Sequence, residues 1–272
     1  MNTDDYVHGY TDREMARLND QSRTLTDLLH HDTRYPPGSK VLEVGCGVGA
    51  QTVFLARNSP GAEITSVDIS PDSVAAARAA AEREGITNVT FQVADIFDLP
   101  FAPGSFDHVF ICFVLEHLPR PERALDIAVD MLRPGGSLTA IEGDHGSTFF
   151  YPLNPLSQRA IDCLVELQGR SGGDALIGRR LFPLLTAAGL QEVRVSPRTV
   201  YVDPSRPELE EGFTRNTFAA MVEGVRDRVL ACAMMTETEF EEGVRGLRDT
   251  TGKGTFAYTF FKGTGIKTEE RT

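Results

Sequence analysis

Short apolar runs, each closed by glycine, proline or an acidic residue, alternate through the first half of the chain with stretches of helical period. Val41, Leu42 and Val44 in K-V-L-E-V form the first run, of the length and continuity expected of a buried parallel strand. Glu63 to Val67 alternates and is β-branched, and Val89 to Val93, Phe106 to Phe113 and Leu138 to Ile141 complete a set of five strands. Between them lie helical stretches. One begins at Ala50 with Val53, Phe54 and Ala56 on its apolar side. A second opens at Ser70-Pro71, an N-cap followed by a proline at the first helical position, and stops at Gly85. A third covers Pro121 to Leu132. Strand and helix in strict alternation predict right-handed βαβ units and a parallel sheet.

The ends of the chain follow other patterns. Thr11 with Glu14 reads as a capping box opening a helix to about His31, with Met15, Leu18, Leu25 and Leu29 along one side. His30 and His31 at its end are expected on the surface, where positive charge suits the helix dipole. Gln158 to Gln168 and Arg180 to Ala188 are predicted helices, Gln191 to Val195 a strand, and Thr255 to Phe261 a final alternating strand. Glu208 to Thr250 is helical throughout, with Phe218, Met221, Val222, Val225 and Val229 in period and Thr236 with Glu239 capping a last helix. Met221, Met234 and Met235 fit either an adaptable pocket wall or plain core. These helices read as a cap over one rim of the sheet.

That rim is where chemistry is expected, because open parallel sheets bind ligands beyond the carboxyl ends of their strands. The strand ends carry Glu43 to Gly49, Asp68, Asp95, Phe113 to His117, and Glu142 to His145. Gly45, Gly47 and Gly49 let the chain turn tightly before a helix whose free N–H groups suit an anionic group. The spacing also fits the dinucleotide pattern G-x-G-x-x-G/A. A nicotinamide dinucleotide would use Asp68, but it has no equal use for Glu43 before the glycines together with Asp95 after the third strand.

Charge narrows the partners. A net charge of −12 over 272 residues argues against binding phosphate backbones by electrostatics, so no nucleic-acid partner is expected. The four cysteines, Cys46, Cys112, Cys163 and Cys232, are far apart and predict neither disulfides nor a zinc site. There is no charged-then-apolar leader and no apolar run of the roughly 18 residues a span needs, so no membrane partner is expected and the location reads as cytoplasmic.

Taken in order, these blocks resemble the class I S-adenosylmethionine-dependent methyltransferases, most closely from Lys40 to Gly143. E-V-G-C-G-V-G looks like the family's first motif. The resemblance implies S-adenosyl-L-methionine as cofactor, held by Glu43, Gly45, Gly47 and Gly49. Asp68, with Ile69, would take the ribose hydroxyls, and Ala94, Asp95 and Ile96 the adenine, Asp95 accepting from its amino group. Phe113-Val114-Leu115-Glu116-His117-Leu118 and Arg133-Pro134-Gly135-Gly136 resemble further blocks, with Phe113 beside the cofactor. Tyr6, Tyr10, Arg17 and Gln21 look like a lid segment that closes over the amino acid end, Tyr6 and Gln21 being the cofactor contacts. Acceptor-side catalytic candidates are Glu142, Asp144 and His145, with His145 as a base and Asp144 either orienting it or capping a helix. No metal site is expected.

The expected fold is α/β, a Rossmann-like doubly wound, mostly parallel seven-stranded sheet with a C-terminal antiparallel strand and a helical lid. Residues 1–39 form an N-terminal helical lid segment, 40–195 the S-adenosylmethionine-binding core, 196–254 a helical cap insertion and 255–272 the final strand and tail. The expected activity is methyl transfer to an O, N, S or C atom of a small-molecule acceptor, since an enclosing lid excludes large chains. The alternatives are an RNA or protein methyltransferase and a non-catalytic S-adenosylmethionine-binding regulatory protein. Self-association into a homodimer is left open.

Overall fold

Seven strands form one sheet in the order β3-β2-β1-β4-β5-β7-β6 in the computed structural model, which describes residues 25–268. They are β1 (Lys40–Val44), β2 (Glu63–Asp68), β3 (Val89–Val93), β4 (Phe106–Cys112), β5 (Leu132–Tyr151), β6 (Gln191–Val202) and β7 (Thr255–Ile266). The pairs β1/β2, β1/β4, β2/β3 and β4/β5 are parallel, and β7 runs antiparallel between β5 and β6. This is the mostly parallel seven-stranded sheet expected from the alternation.

Burial on both faces explains the continuous apolar runs. Val41, Phe110, Cys112 and Ile141 face one apolar cluster, while Leu42, Val44, Val109 and Ile111 face another. The second cluster is closed by α3 (Pro121–Met131), through Ala124, Leu125 and Ala128. Earlier in the chain, α1 (Thr52–Asn58) follows the glycine turn and buries Leu55 and Ala56 in the first cluster, and α2 (Pro71–Arg83) is capped by Ser70, whose Oγ accepts from the Ser73 N–H at 3.2 Å. The first cluster receives α4 (Pro155–Arg170), α6 (Ala220–Gly224), α7 (Arg226–Ala231) and α8 (Glu237–Arg248), whereas α5 (Leu181–Ala187) packs into the second. A π-helical stretch, Glu210–Ala219, leads into α6 and buries Phe213 and Phe218. Thr236 and Glu239 form the expected capping box on α8. Met221 and Met235 are buried core residues and Met234 packs against them.

Three strands, β5, β6 and β7, run further than their sequence patterns suggested, β7 as far as Ile266. β5 continues through Glu142, Gly143 and Asp144, which pair with Phe261, Phe260 and Thr259 of β7, and then, after a register shift, to Tyr151. These residues are therefore in the ladder and not in a loop beyond it. The partner strand supplies the hydrogen bonds that local propensity does not announce. β6 runs on to Val202, past residue 195, because β7 pairs with it from Gln191 to Val202. β4 stops one residue early, at Cys112.

Residues 25–30 are helical and bury Leu25 and Leu29 against the first cluster. His30 is not on the surface as expected. It is 3% exposed, bonds Gln51 Oε1 through Nε2 at 2.6 Å, and burial lowers its pKa to about 4. The helix end is docked against the sheet by Arg198 of β6 and Lys262 of β7. Arg198 donates to Leu28 O at 2.9 Å and to Asp32 Oδ2 at 2.5 Å; Lys262 reaches Asp32 Oδ1 at 2.6 Å and Thr33 Oγ1 at 2.7 Å. Tyr6, Tyr10, Arg17 and Gln21 lie outside the described residues.

Candidate functional site

The glycine turn leaves β1 with its backbone held by β2. The Gly45 and Cys46 N–H groups both donate to Val67 O, at 2.8 and 3.0 Å, and Gly49 N–H donates to Cys46 O at 2.9 Å. Gly45 and Gly47 have φ of 73° and 51°, in the left-handed region that side chains avoid. A Cβ on Gly45 would fall inside the Val114 side chain, so the turn is packed tight on that side. A Cβ on Gly47 would meet nothing within 4 Å, so the turn is open there.

Asp68 stands beside this opening, at the end of β2. Its Oδ2 accepts from Gly47 N–H at 2.8 Å and its Oδ1 from Ser70 N–H at 2.9 Å. These bonds fix the carboxylate and leave it further lone pairs. Burial pushes its pKa up, against the hydrogen bonds that lower it. Ile69, partly exposed, follows it, and Ala94 N–H donates to Asp68 O at 2.9 Å, which brings the β3 exit alongside. Asp95 is the next residue, its Oδ1 accepting from Phe97 N–H at 2.9 Å, and Ile96 is buried beneath. The structure therefore gathers Gly47, Asp68, Ala94 and Asp95 at one place on the rim.

Glu43 lies deeper. It is 2% exposed and accepts from Ser66 Oγ at 2.5 Å. Burial, reinforced by nearby Asp68, raises its pKa to about 7. Phe113 follows the last residue of β4 at φ 57°, and its ring packs on Phe260 with centroids 5.5 Å apart.

The acceptor-side candidates do not act on one another. Successive strand residues point to opposite faces, so Asp144 and His145 diverge. Asp144 is held bidentately by Arg179, at 2.7 and 2.8 Å, and also accepts from Gly146 N–H at 3.0 Å. His145 instead bonds Tyr258 Oη through Nδ1 at 2.7 Å, with the Phe218 ring edge-on to it at 6.3 Å. Orientation of the histidine comes from β7, not from Asp144. Glu142 is fully buried, and its Oε1 accepts from Val114 and Leu115 N–H at 3.1 and 2.8 Å. Burial, and then the neighbouring Glu116, pushes its carboxyl well above the usual range.

Tyr258 and Arg179 were missed by sequence reasoning. The Phe256-Tyr258-Phe260 alternation marks Tyr258 as an inward residue, but no local pattern tells which side chain its hydroxyl meets 113 positions away. No group of acidic, histidine or cysteine side chains that would hold a metal occurs among the described residues, and none of their helices is long and apolar enough to cross a membrane.

A parallel sheet with one antiparallel strand, an open glycine turn and two carboxylates at adjacent strand ends define a nucleoside-binding protein of the Rossmann-like class. Comparison with known proteins sharpens this. The methyltransferase-domain family profile matches residues 42–140. Methyltransferase str3 of Strobilurus tenacellus is 30% identical over 203 residues, 72% of this chain and 70% of that protein. The 27-O-demethylrifamycin SV methyltransferase of Amycolatopsis mediterranei is 28% identical over 227 residues, 82% of this chain and 76% of that protein. Among solved structures, Haemonchus contortus phosphoethanolamine N-methyltransferase 2, in complex with phosphomonomethylethanolamine and S-adenosylhomocysteine, superposes with a TM-score of 0.56 at 17% identity, over 92% of this chain and 53% of that one. The chain belongs to the class I S-adenosylmethionine-dependent methyltransferase family. Its match spans between 35% and 59% of the length of three other curated relatives.

The residues present fit the family's cofactor. The open side of Gly47 leaves room for a ligand against bare backbone, and two fixed carboxylate acceptors suit a ribose diol and an adenine amino group.

Proposed function

We propose that this chain transfers a methyl group from S-adenosylmethionine to an O, N, S or C atom of a small-molecule acceptor. The observation that carries this reading is the placement of Asp68 and Asp95 on adjacent strand ends beside the open face of Gly47. When bound, the cofactor supplies an electrophilic methyl group on a sulfonium. Asp68 accepts the ribose hydroxyls, Asp95 the adenine amino group, and Gly45, Gly47 and Gly49 let the chain pass close to the ligand. Phe113, packed on Phe260, forms the apolar wall between the cofactor and acceptor sides. The protein's main task is to hold the acceptor in line in a dry pocket.

Where the acceptor must lose a proton, His145 takes it. In the tautomer that carries its proton on Nδ1 and donates it to Tyr258 Oη, the accepting nitrogen is Nε2. Asp144, fixed by Arg179, holds the 144–146 segment of β5 that carries the histidine. A small acceptor is favoured over RNA by the net charge of −12 and by similarity to a relative named for 27-O-demethylrifamycin SV.

Parallel calorimetric titrations with S-adenosylmethionine and NAD test the cofactor. Binding of the first alone is expected, with Asp68→Ala weakening it by about tenfold or more, because a charged double acceptor is lost. Binding of NAD alone, or unchanged affinity in the variant, overturns the assignment. A screen of acceptors with labelled methyl groups then tests transfer itself.

A further inference from the structure

We propose that Glu142 is a positioning residue: by holding the amides of the turn after β4, it sets the wall against which the cofactor-binding glycine turn is packed. The inference rests on the reading above that this turn receives S-adenosylmethionine.

The turn needs holding. Phe113 leaves β4 at φ 57°, in a region that residues with side chains rarely adopt and that surrounding structure must impose. Three successive amides are fixed from β5. Phe113 N–H donates to Ile141 O at 2.9 Å, and Val114 and Leu115 N–H both donate to Glu142 Oε1, at 3.1 and 2.8 Å. Glu142 is 0% exposed, so no solvent can replace it, and its loss would leave two amides unpaired in the interior.

What the turn positions is Val114. Its Cγ atoms occupy the space where a Cβ on Gly45 would stand. Gly45 is itself held to Val67 O at 2.8 Å, and the same stretch places Gly47 on Asp68. A chain of direct contacts thus runs from Glu142 through the Val114 backbone and side chain to Gly45, and on to Gly47 and Asp68. The carboxyl itself is fully buried. The surroundings favour its neutral form, since Glu116 is close and burial opposes the charge. An amide at this position keeps the oxygen that accepts both N–H groups.

The experiment is calorimetric titration of S-adenosylhomocysteine into wild type, Glu142→Ala and Glu142→Gln, at a temperature where all three are folded. The alanine variant should bind at least about tenfold more weakly, and the glutamine variant within about threefold of wild type. Wild-type affinity in Glu142→Ala overturns the proposal. Equal loss in both variants also overturns it, because the carboxyl proton or charge would then be what matters. If Glu142→Ala does not fold, Val114→Ala decides: it trims the wall behind Gly45 and leaves the hydrogen bonds, and unchanged affinity there refutes the coupling. Failure of the wild-type chain to bind at all would instead sink the cofactor reading, and amide hydrogen exchange still tests the turn separately. Val114 and Leu115 should exchange slowly in wild type and in Glu142→Gln, and fast exchange in wild type overturns the hold.

Discussion

Gly143 and Tyr258 make a sharp test of how β5 and β7 fit together. A methyl on Gly143 would land on Tyr258 Oη and stand 3.3 Å from the ring carbon that bears it. Gly143→Ala therefore forces the phenol aside, an overpacking cost of about 1–3 kcal/mol, reduced by about 0.5–1 kcal/mol because alanine loses less backbone freedom in a strand. Tyr258→Phe removes the 2.7 Å bond to His145 Nδ1 and leaves a buried ring nitrogen short of a partner, at about 1–2 kcal/mol. In the double variant the obstructing oxygen is gone and the methyl meets only a tight carbon contact. Most of the overpacking cost then disappears. The expected coupling is about 1–2 kcal/mol of relief relative to the sum of the single variants. Urea unfolding of wild type, the two single variants and the double variant, at one neutral pH, measures it directly. Additivity within about 0.5 kcal/mol would refute the claim that Gly143 is glycine because of the Tyr258 hydroxyl.

Two other perturbations probe the docking of the N-terminal helix and the chemistry. Burial by itself would raise the pKa of Asp32, but hydrogen bonds from Arg198 and Lys262 outweigh it and hold the carboxyl well below the usual carboxylate range. A depressed folded pKa means that this stabilisation is complete above the unfolded value near 3.9 and is lost as pH falls below it. Asp32→Ala should cost about 1–2 kcal/mol at pH 7, less than a fully buried pair because the aspartate side chain is 47% exposed. In urea unfolding the gap to wild type should be constant above about pH 4 and narrow progressively as pH falls below it, towards the lowered folded-state pKa, and a gap that stays constant down to about pH 2 refutes the linkage. His145→Ala should lower turnover at least about tenfold with an acceptor that must lose a proton, and leave S-adenosylmethionine affinity unchanged. Turnover at the wild-type rate would show that His145 only packs.

Much of the cofactor side was legible because local sequence controls it. Val41 to Gly49 writes strand and turn in adjacent residues, and Ser70-Pro71 and Gly85 mark a helix by capping chemistry alone. Asp68 and Asp95 follow once their strands are found, since parallel neighbours in register end together, as Asp68 and Val93 do. The acceptor side was less legible because long-range pairing controls it. Asp144 and His145 looked like a loop pair, and the extension of β5 by β7 turned them to opposite faces. His30 looked like a surface residue at a helix end. Its burial depends on Gln51 and on Phe110, whose ring lies 5.9 Å away. Arg179 and Tyr258 sit in ordinary contexts and gain their roles only from partners distant in sequence.

The two halves of the site thus hang on two different strands. β1 organises the cofactor side, and β7 organises the other. One inward row of β7 carries Phe256, Tyr258, Phe260 and Lys262. Phe256 and Tyr258 receive Phe218 at 4.9 and 5.5 Å and Phe213 at 6.0 and 5.9 Å, which seats the π-helical stretch and the helices after it. Tyr258 holds His145, Phe260 backs Phe113, and Lys262 grips Asp32 and Thr33 at the end of the first helix. An antiparallel strand between β5 and β6 is suited to this work. The chain must leave the sheet after β6, build the helices of residues 207–248, and come back through the centre of the C-terminal half to pair on both sides. The helices of residues 207–248, the histidine and the N-terminal docking are therefore tied to one strand near the C-terminal end of the sheet-forming sequence. A cut or insertion in the helical segment would accordingly disturb the surroundings of His145 and the N-terminal anchor together, while the ladder of β1 with β2 and β4 is made by residues outside that segment.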